Sequence, residues 1–190
     1  MALAKELGYE RVVLSRELSL AEMEAACRDG GLDIEVFVHG ALCICYSGQC
    51  QMSRFYGGRS GNRGACAQPC RLPYEGVDEN EKKISGHLLS PKDLCLVDRL
   101  GELIEAGFYS FKIEGRMKSP EYVAVVTRIY RKYIDEYMEK GSYHVTPEDR
   151  RELRQIFNRG GFTSGYLTGN PGEKLMSPVI PKNQGIRIGT

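Results

Sequence analysis

Apolar positions along the chain follow two rhythms, and a stretch that follows neither separates them. Residues 3–8 read as the end of a helix, and Val12-Val13-Leu14 as a short strand. Ser19 and Glu22 then form a capping box, with the serine accepting from the third helical amide and the glutamate reaching back. A helix of about ten residues is expected from there, stopped by Gly30-Gly31. Ile34 to Val38, rich in β-branched residues, reads as the next strand. Between 39 and 87 the helical period is lost and glycines accumulate. Pro91 and Asp93 are expected to open a helix carrying Leu94, Val97, Leu100, Leu103 and Ile104, with Gly107 ending it. Ser110 to Ile113 is a strand pattern. Ser119 and Pro120 start the clearest helix, whose stripe is Tyr122, Val126, Ile129, Tyr130, Tyr133 and Tyr137 and whose stop is Gly141. Thr146-Pro147-Glu148 begins a further helix to about Phe157. Beyond it the chain is rich in Gly and Pro, with apolar runs at Val179-Ile180 and Ile186–Ile188.

Strands that alternate with helices argue for an α/β fold with βαβ units and a parallel sheet. A complete (β/α) barrel has eight strands and about 250 residues. Three or four strands are legible here, in 190 residues. The expectation is therefore a partial (β/α) TIM-type barrel, the later half of one, with a long Cys/Gly/Arg-rich insertion at 39–87. The barrel portion would cover 1–160. Residues 161–190 would form a Gly/Pro-rich linker and the start of a truncated C-terminal region, where Gly185–Ile188 resembles an incipient strand.

Composition narrows the class without naming a partner. Hydrophobic residues are 42% and charged residues 27%, ordinary for a globular chain and against disorder or a fibrous repeat. No apolar run approaches the length that crosses a bilayer, and Met1 to Glu10 lacks the apolar core of a signal peptide. A cytoplasmic protein without a membrane partner is expected. The net charge of +1 is uninformative, but its distribution is not. Residues 36–74 contain no Asp or Glu and carry Arg54, Arg59, Arg63 and Arg71. The plain reading is a basic surface loop. The sharper one is a site for anions, either RNA phosphates or a carboxylated metabolite.

Five of the seven cysteines, Cys43, Cys45, Cys50, Cys66 and Cys70, fall in the same segment. Clustered cysteines in a cytoplasmic chain read as metal or redox chemistry before disulfides. Four thiolates brought together suit zinc or an iron–sulfur cluster. Only Cys66 and Cys70 form a short pair, which fits a zinc ribbon less well. Small cysteines also fill cores, a reading that suits Cys27 and Cys45.

The stretch from Glu35 to Ser53 resembles the signature of peptidase family U32, the collagenase-like proteases. The matching positions are Glu35, Phe37, Gly40, Ala41, Leu42, Cys43, Gly48, Cys50, Met52 and Ser53. Arg63–Arg71, Leu89–Leu94 and Phe111–Arg116 extend the likeness, which covers about Leu7 to Asn183. The resemblance implies a barrel-type fold and two competing activities. One is a collagenase-like peptidase of unknown catalytic type. The other is hydroxylation, linked in some branches to prephenate, of a tRNA wobble uridine, an rRNA cytidine or a ubiquinone precursor. The hydroxylation branches imply a [4Fe–4S] cluster held by four cysteines. Cys43, Cys50 and Cys66 match the pattern, Cys70 completes it by proximity, and Cys95 is the alternative fourth ligand. The stretch Ala67–Tyr74 is closest to the rRNA cytidine branch.

In a β/α barrel the C-terminal strand ends carry the active site. Three segments follow strands here: Ser15–Glu17, His39–Cys50 and Glu114–Arg116. Glu35, His39, Lys112, Glu114 and Arg116 are accordingly the candidate catalytic residues, with Arg116 suited to hold a carboxylated co-substrate such as prephenate. Arg54, Arg59, Arg63 and Arg71 are the candidate substrate-binding residues, and Phe55 and Tyr56 either stack on a base or belong to the core. No HExxH or GxSxG pattern occurs, so peptidase machinery is not legible. The expectation is RNA base hydroxylation, giving 5-hydroxycytidine in rRNA or 5-hydroxyuridine in tRNA. The alternatives are a peptidase and a non-catalytic scaffold stapled by zinc or a cluster. The remainder of a longer polypeptide or an accessory subunit is a further expected partner.

Overall fold

The computed structural model describes residues 1–178 and has a mixed α/β architecture. In chain order the elements are α1 (Ala2–Glu6), β1 (Arg11–Val13), α2 (Leu20–Gly30), β2 (Asp33–Ala41), α3 (Met52–Gly57), β3 (Tyr74–Val77), β4 (Lys83–Gly86), β5 (Asp93–Cys95), α4 (Leu100–Glu105), β6 (Ser110–Ile113), α5 (Pro120–Lys140), α6 (Pro147–Ile156) and β7 (Phe162–Thr163). Local chemistry sets the helix ends as expected. Ser19 and Glu22 make the full capping box on α2, and Gly31 ends that helix in the left-handed conformation. Ser119 and Thr146 cap α5 and α6, each with proline in the first turn.

The long strand β2 organises the sheet. It pairs in parallel with β1 and with β6, and in antiparallel with β5, which pairs in parallel with β7. Ile34, Val36 and Val38 of β2 are buried in the core with Leu100 and Leu103 of α4 and the Val126, Ile129, Tyr130 and Tyr133 stripe of α5. Alternation along the strand sends Glu35 and Phe37 to the other face. A bulge between Phe37 and His39 then shifts the register against β6, so that Val38, His39 and Gly40 are buried in succession.

Two expectations are corrected here. The helix expected from Pro91 starts only at Leu100, because Asp93–Cys95 is a strand and Val97–Arg99 a 3₁₀ turn. The sheet is mixed rather than parallel, since that strand runs antiparallel to β2. The five-stranded sheet is open, and no closed barrel forms among the described residues. Residues 161–178, expected as linker, contribute β7 and the buried Leu167 and Leu175. Residues 39–87 hold α3 and the β3–β4 hairpin. The runs at Val179-Ile180 and Ile186–Ile188 lie outside the described residues.

Candidate active site

Parallel pairing of β1, β2 and β6 brings their C-terminal ends together. On the face opposite the core, Glu35 accepts from Lys112 Nζ at 2.8 Å and from Ser110 Oγ at 2.8 Å. The Lys112 ammonium and the Ser110 hydroxyl hold the Glu35 carboxyl below the usual carboxylate range. Arg16, just beyond β1, pairs with Glu114, just beyond β6, and its guanidinium lies 3.8 Å from the centre of the Phe37 ring. Gly40 makes this closeness possible. Its φ is +112°, and an added Cβ would stand 2.7 Å from the Glu114 carbonyl oxygen. Glu35, Lys112 and Glu114 thus share one face, with Arg16 as a fourth member that the sequence reading had not singled out. Arg116 is exposed just past them.

His39 takes a different place from the one expected of a catalytic histidine. It is 1% exposed and its Nδ1 lies 3.2 Å from the Tyr130 hydroxyl. That hydroxyl donates to the Val38 carbonyl at 2.8 Å and accepts from the Leu96 amide at 3.1 Å. The histidine is therefore the donor, through Nδ1–H, and its Nε2 has no partner among the described residues. Burial, aided by Lys118, pushes its pKa down to about 3, so it is neutral at physiological pH. It braces the end of β2 and is not placed to exchange protons with a substrate.

The cysteines fall into three environments. Cys27 packs against the core, as expected. Cys95 lies in β5 opposite His39, touches the Tyr130 hydroxyl at 3.8 Å, and has Asp98 and Arg150 as its charged neighbours. It lines a cavity of about 300 Å³ in which it is the only cysteine. Of the four cysteines Cys43, Cys50, Cys66 and Cys70, the first three act on the fourth. Burial pushes the Cys70 thiol up, and so do the neighbouring sulfurs of Cys43, Cys66 and Cys50, with Arg71 opposing them. Cys45 joins the group rather than the core, because its thiol feels Cys50 and Cys43. No group of three or more His, Cys, Asp or Glu among the described residues stands close enough to hold a single metal ion.

The surroundings of the thiols are specialised. Gln68 has a left-handed backbone, φ 57°, unusual for a non-glycine residue, and directs its amide at Cys66 Sγ, 3.3 Å away. Ser53 Oγ donates to the same sulfur at 3.7 Å and accepts from the Ala67 amide at 3.1 Å, tying α3 to the second cysteine pair. Arg71, expected among the substrate-binding arginines, is instead committed internally. Its guanidinium donates to the Leu42 and Pro91 carbonyls and to Ser90 Oγ, stitching the loop to the ends of β2 and β5. Arg54, Arg59 and Arg63 are exposed and line one cleft of about 570 Å³ with Cys50. Phe55 and Tyr56, on the same short helix, are 82% and 72% exposed, so they are not core residues.

The model of peptidase family U32 matches residues 1–177. The chain belongs to peptidase family U32. Among this U32 chain's relatives, the 23S rRNA 5-hydroxycytidine C2501 synthase of Escherichia coli (strain K12) is 47% identical over 97% of the chain and 29% of that protein. The tRNA hydroxylation protein P1 of Bacillus subtilis (strain 168) is 40% identical over 88% of the chain and 42% of that protein. A protein named collagenase from Porphyromonas gingivalis (strain ATCC BAA-308 / W83) is 38% identical over 89% of the chain and 42% of that protein. The U32 chain spans less than half the length of these curated relatives. No solved structure matches it. No helix among the described residues is long and apolar enough to cross a membrane.

Proposed function

We propose that this U32 chain forms part of an enzyme that hydroxylates a pyrimidine base in RNA, with rRNA cytidine ahead of tRNA uridine as the target. One observation carries the reading. Cys50 lines an acid-free cleft with Arg54, Arg59 and Arg63, and it is one of three cysteines, with Cys43 and Cys66, whose charge reaches Cys70. The names of the E. coli and B. subtilis relatives point the same way. The parallel β1, β2 and β6 with their helices are read as a portion of a (β/α) barrel, whose strand ends carry the site.

The donor set fits a [4Fe–4S] cluster. Four thiols with no carboxylate among them are the ligands such clusters take. The fit is poorer for zinc, which needs its ligands around one ion. Cys43, Cys50, Cys66 and Cys70 would hold the cluster, and bound there it supplies one-electron redox chemistry. The Gln68 amide and the Ser53 hydroxyl are both directed at the Cys66 sulfur. Arg54, Arg59 and Arg63 hold the phosphate backbone, while Phe55 and Tyr56 stack on neighbouring unpaired bases. Arg116 is the guanidinium suited to a carboxylated co-substrate such as prephenate, because Arg16 and Lys112 already have carboxylate partners. The peptidase reading loses His39 as a base, since it is buried and neutral.

The test is nucleoside mass spectrometry of rRNA and tRNA from a deletion strain complemented with wild-type or Cys50→Ser protein. Restoration of a hydroxylated pyrimidine by the wild type alone supports the proposal. Identical nucleoside profiles in all three strains overturn it.

A further inference from the structure

A second cavity, of about 670 Å³, reaches the same thiols through Cys43 and Cys45 rather than through Cys50. Two tyrosines line it, Tyr46 at 66% exposure and the half-buried Tyr166. Glu17 and Cys43 share its wall with them, so these four groups face a common space. Glu17 is held in a fixed orientation. Its two carboxylate oxygens accept from the Ser47 amide at 2.7 Å and the Ser47 hydroxyl at 3.0 Å. Each oxygen keeps a further lone pair. The one cation on the wall, Arg16, is already paired with Glu114 and stacked on Phe37.

Such a lining does not suit a phosphate or a carboxylate, which needs an uncommitted positive charge. It suits a flat, neutral ligand that stacks on phenol rings and donates N–H. We propose that this cavity receives a single unpaired pyrimidine base of the RNA. Tyr46 and Tyr166 offer stacking faces, and Glu17 accepts from the cytosine amino group or the uracil N3–H. The inference rests on the RNA reading above, which also supplies the choice of pyrimidine. It adds a division of labour around the thiols. Phosphates lie in the arginine cleft on the Cys50 side, and the base lies in the tyrosine cavity on the Cys43 side. This separation brings the base to the cysteines without placing a phosphate beside Glu17 and Glu22, the carboxylates on that wall.

The test uses the full-length protein and a labelled single-stranded adenosine oligomer carrying one central 4-thiouridine. Photocrosslinking followed by peptide mass spectrometry is expected to map the crosslink to the peptide holding Tyr46 or Tyr166. Tyr46→Ala is expected to lower affinity for the oligomer roughly tenfold, while Tyr46→Phe retains it, since stacking needs the ring alone. Tyr46 is exposed, so folding is not at stake in either variant. Crosslinks confined to other peptides, with Tyr46→Ala binding as wild type, overturn the base pocket and leave the RNA reading standing. Failure of the wild-type protein to bind the oligomer at all overturns both.

Discussion

The strand-end network and the cysteine-rich loop both concentrate charge, yet they treat it in opposite ways. At the strand ends the charges pair off: Arg16 with Glu114, Lys112 with Glu35, Arg159 with Asp93. In the loop, 36–74 has no acid, and Arg54, Arg59 and Arg63 remain exposed along one cleft. A neutralised network stiffens a scaffold but adds little long-range field. Exposed like charges destabilise the chain slightly and attract an anionic partner. Arg71 marks the boundary, since it lies in the basic segment but is used as scaffold.

The contrast predicts stability effects that shrink from the scaffold to the loop. Asp93→Ala should be the most damaging. Asp93 is 2% exposed, and it is the carboxylate beside Arg159, whose charge acts in turn on Arg71 and Lys118. Removing it leaves half-buried Arg159 unpaired, at a cost of about 3 kcal/mol. Urea unfolding checks this, and a loss below about 1 kcal/mol would mean that the scaffold does not depend on its pairing. Next comes acid sensitivity through His39. The unfolded chain protonates this residue near pH 6.5 and the folded chain only near 3, so stability falls as pH drops through that window. Between pH 6.5 and 5 the loss from this one group is about 2 kcal/mol. His39→Leu should remove that part of the slope in unfolding curves taken at both pH values. An unchanged slope would place the acid sensitivity elsewhere.

Smaller still is the Lys112–Glu35 pair. With Lys112 43% exposed, Lys112→Met should cost no more than about 1 kcal/mol in the same unfolding measurement. The loop arginines close the series. Arg54→Ala, Arg59→Ala and Arg63→Ala should each change stability by less than about 0.5 kcal/mol. Their effect should fall on RNA instead, each lowering affinity and reducing the slope of log affinity against log salt by about 1. If those variants unfolded the protein while sparing RNA binding, the two regions would have exchanged roles.

The sequence revealed most where local chemistry decides the outcome. The Ser19–Glu22 box, the Ser119-Pro120 start and the Tyr122–Tyr133 stripe each specify their helix without help from the rest of the chain. Leu94–Leu96 misled because a three-residue buried strand has no period of its own, and its Asp93 reads as a helix opener until Arg159 is seen against it. The cysteine loop was legible as a site from clustering alone. What was not legible was the sorting within it. Whether Arg71 faces outward, whether His39 sees solvent, and whether Cys45 lies in the core or beside Cys50 all depend on which distant segments fold over them. Tyr166 carries no local signal and reaches the site only through packing next to β7, while Arg16 was marked only by its place just after β1.

The central claim is that the thiols of Cys43, Cys50, Cys66 and Cys70 form one redox site. Its most direct measurement is anaerobic purification of the full-length protein with iron, sulfide and zinc analysis, beside Cys43→Ala, Cys50→Ala, Cys66→Ala, Cys70→Ala and Cys95→Ala. The account predicts about four irons and four sulfides per chain, lost in the first four variants and kept in Cys95→Ala. One zinc per chain, or a metal content untouched by Cys43→Ala and Cys50→Ala, would contradict it.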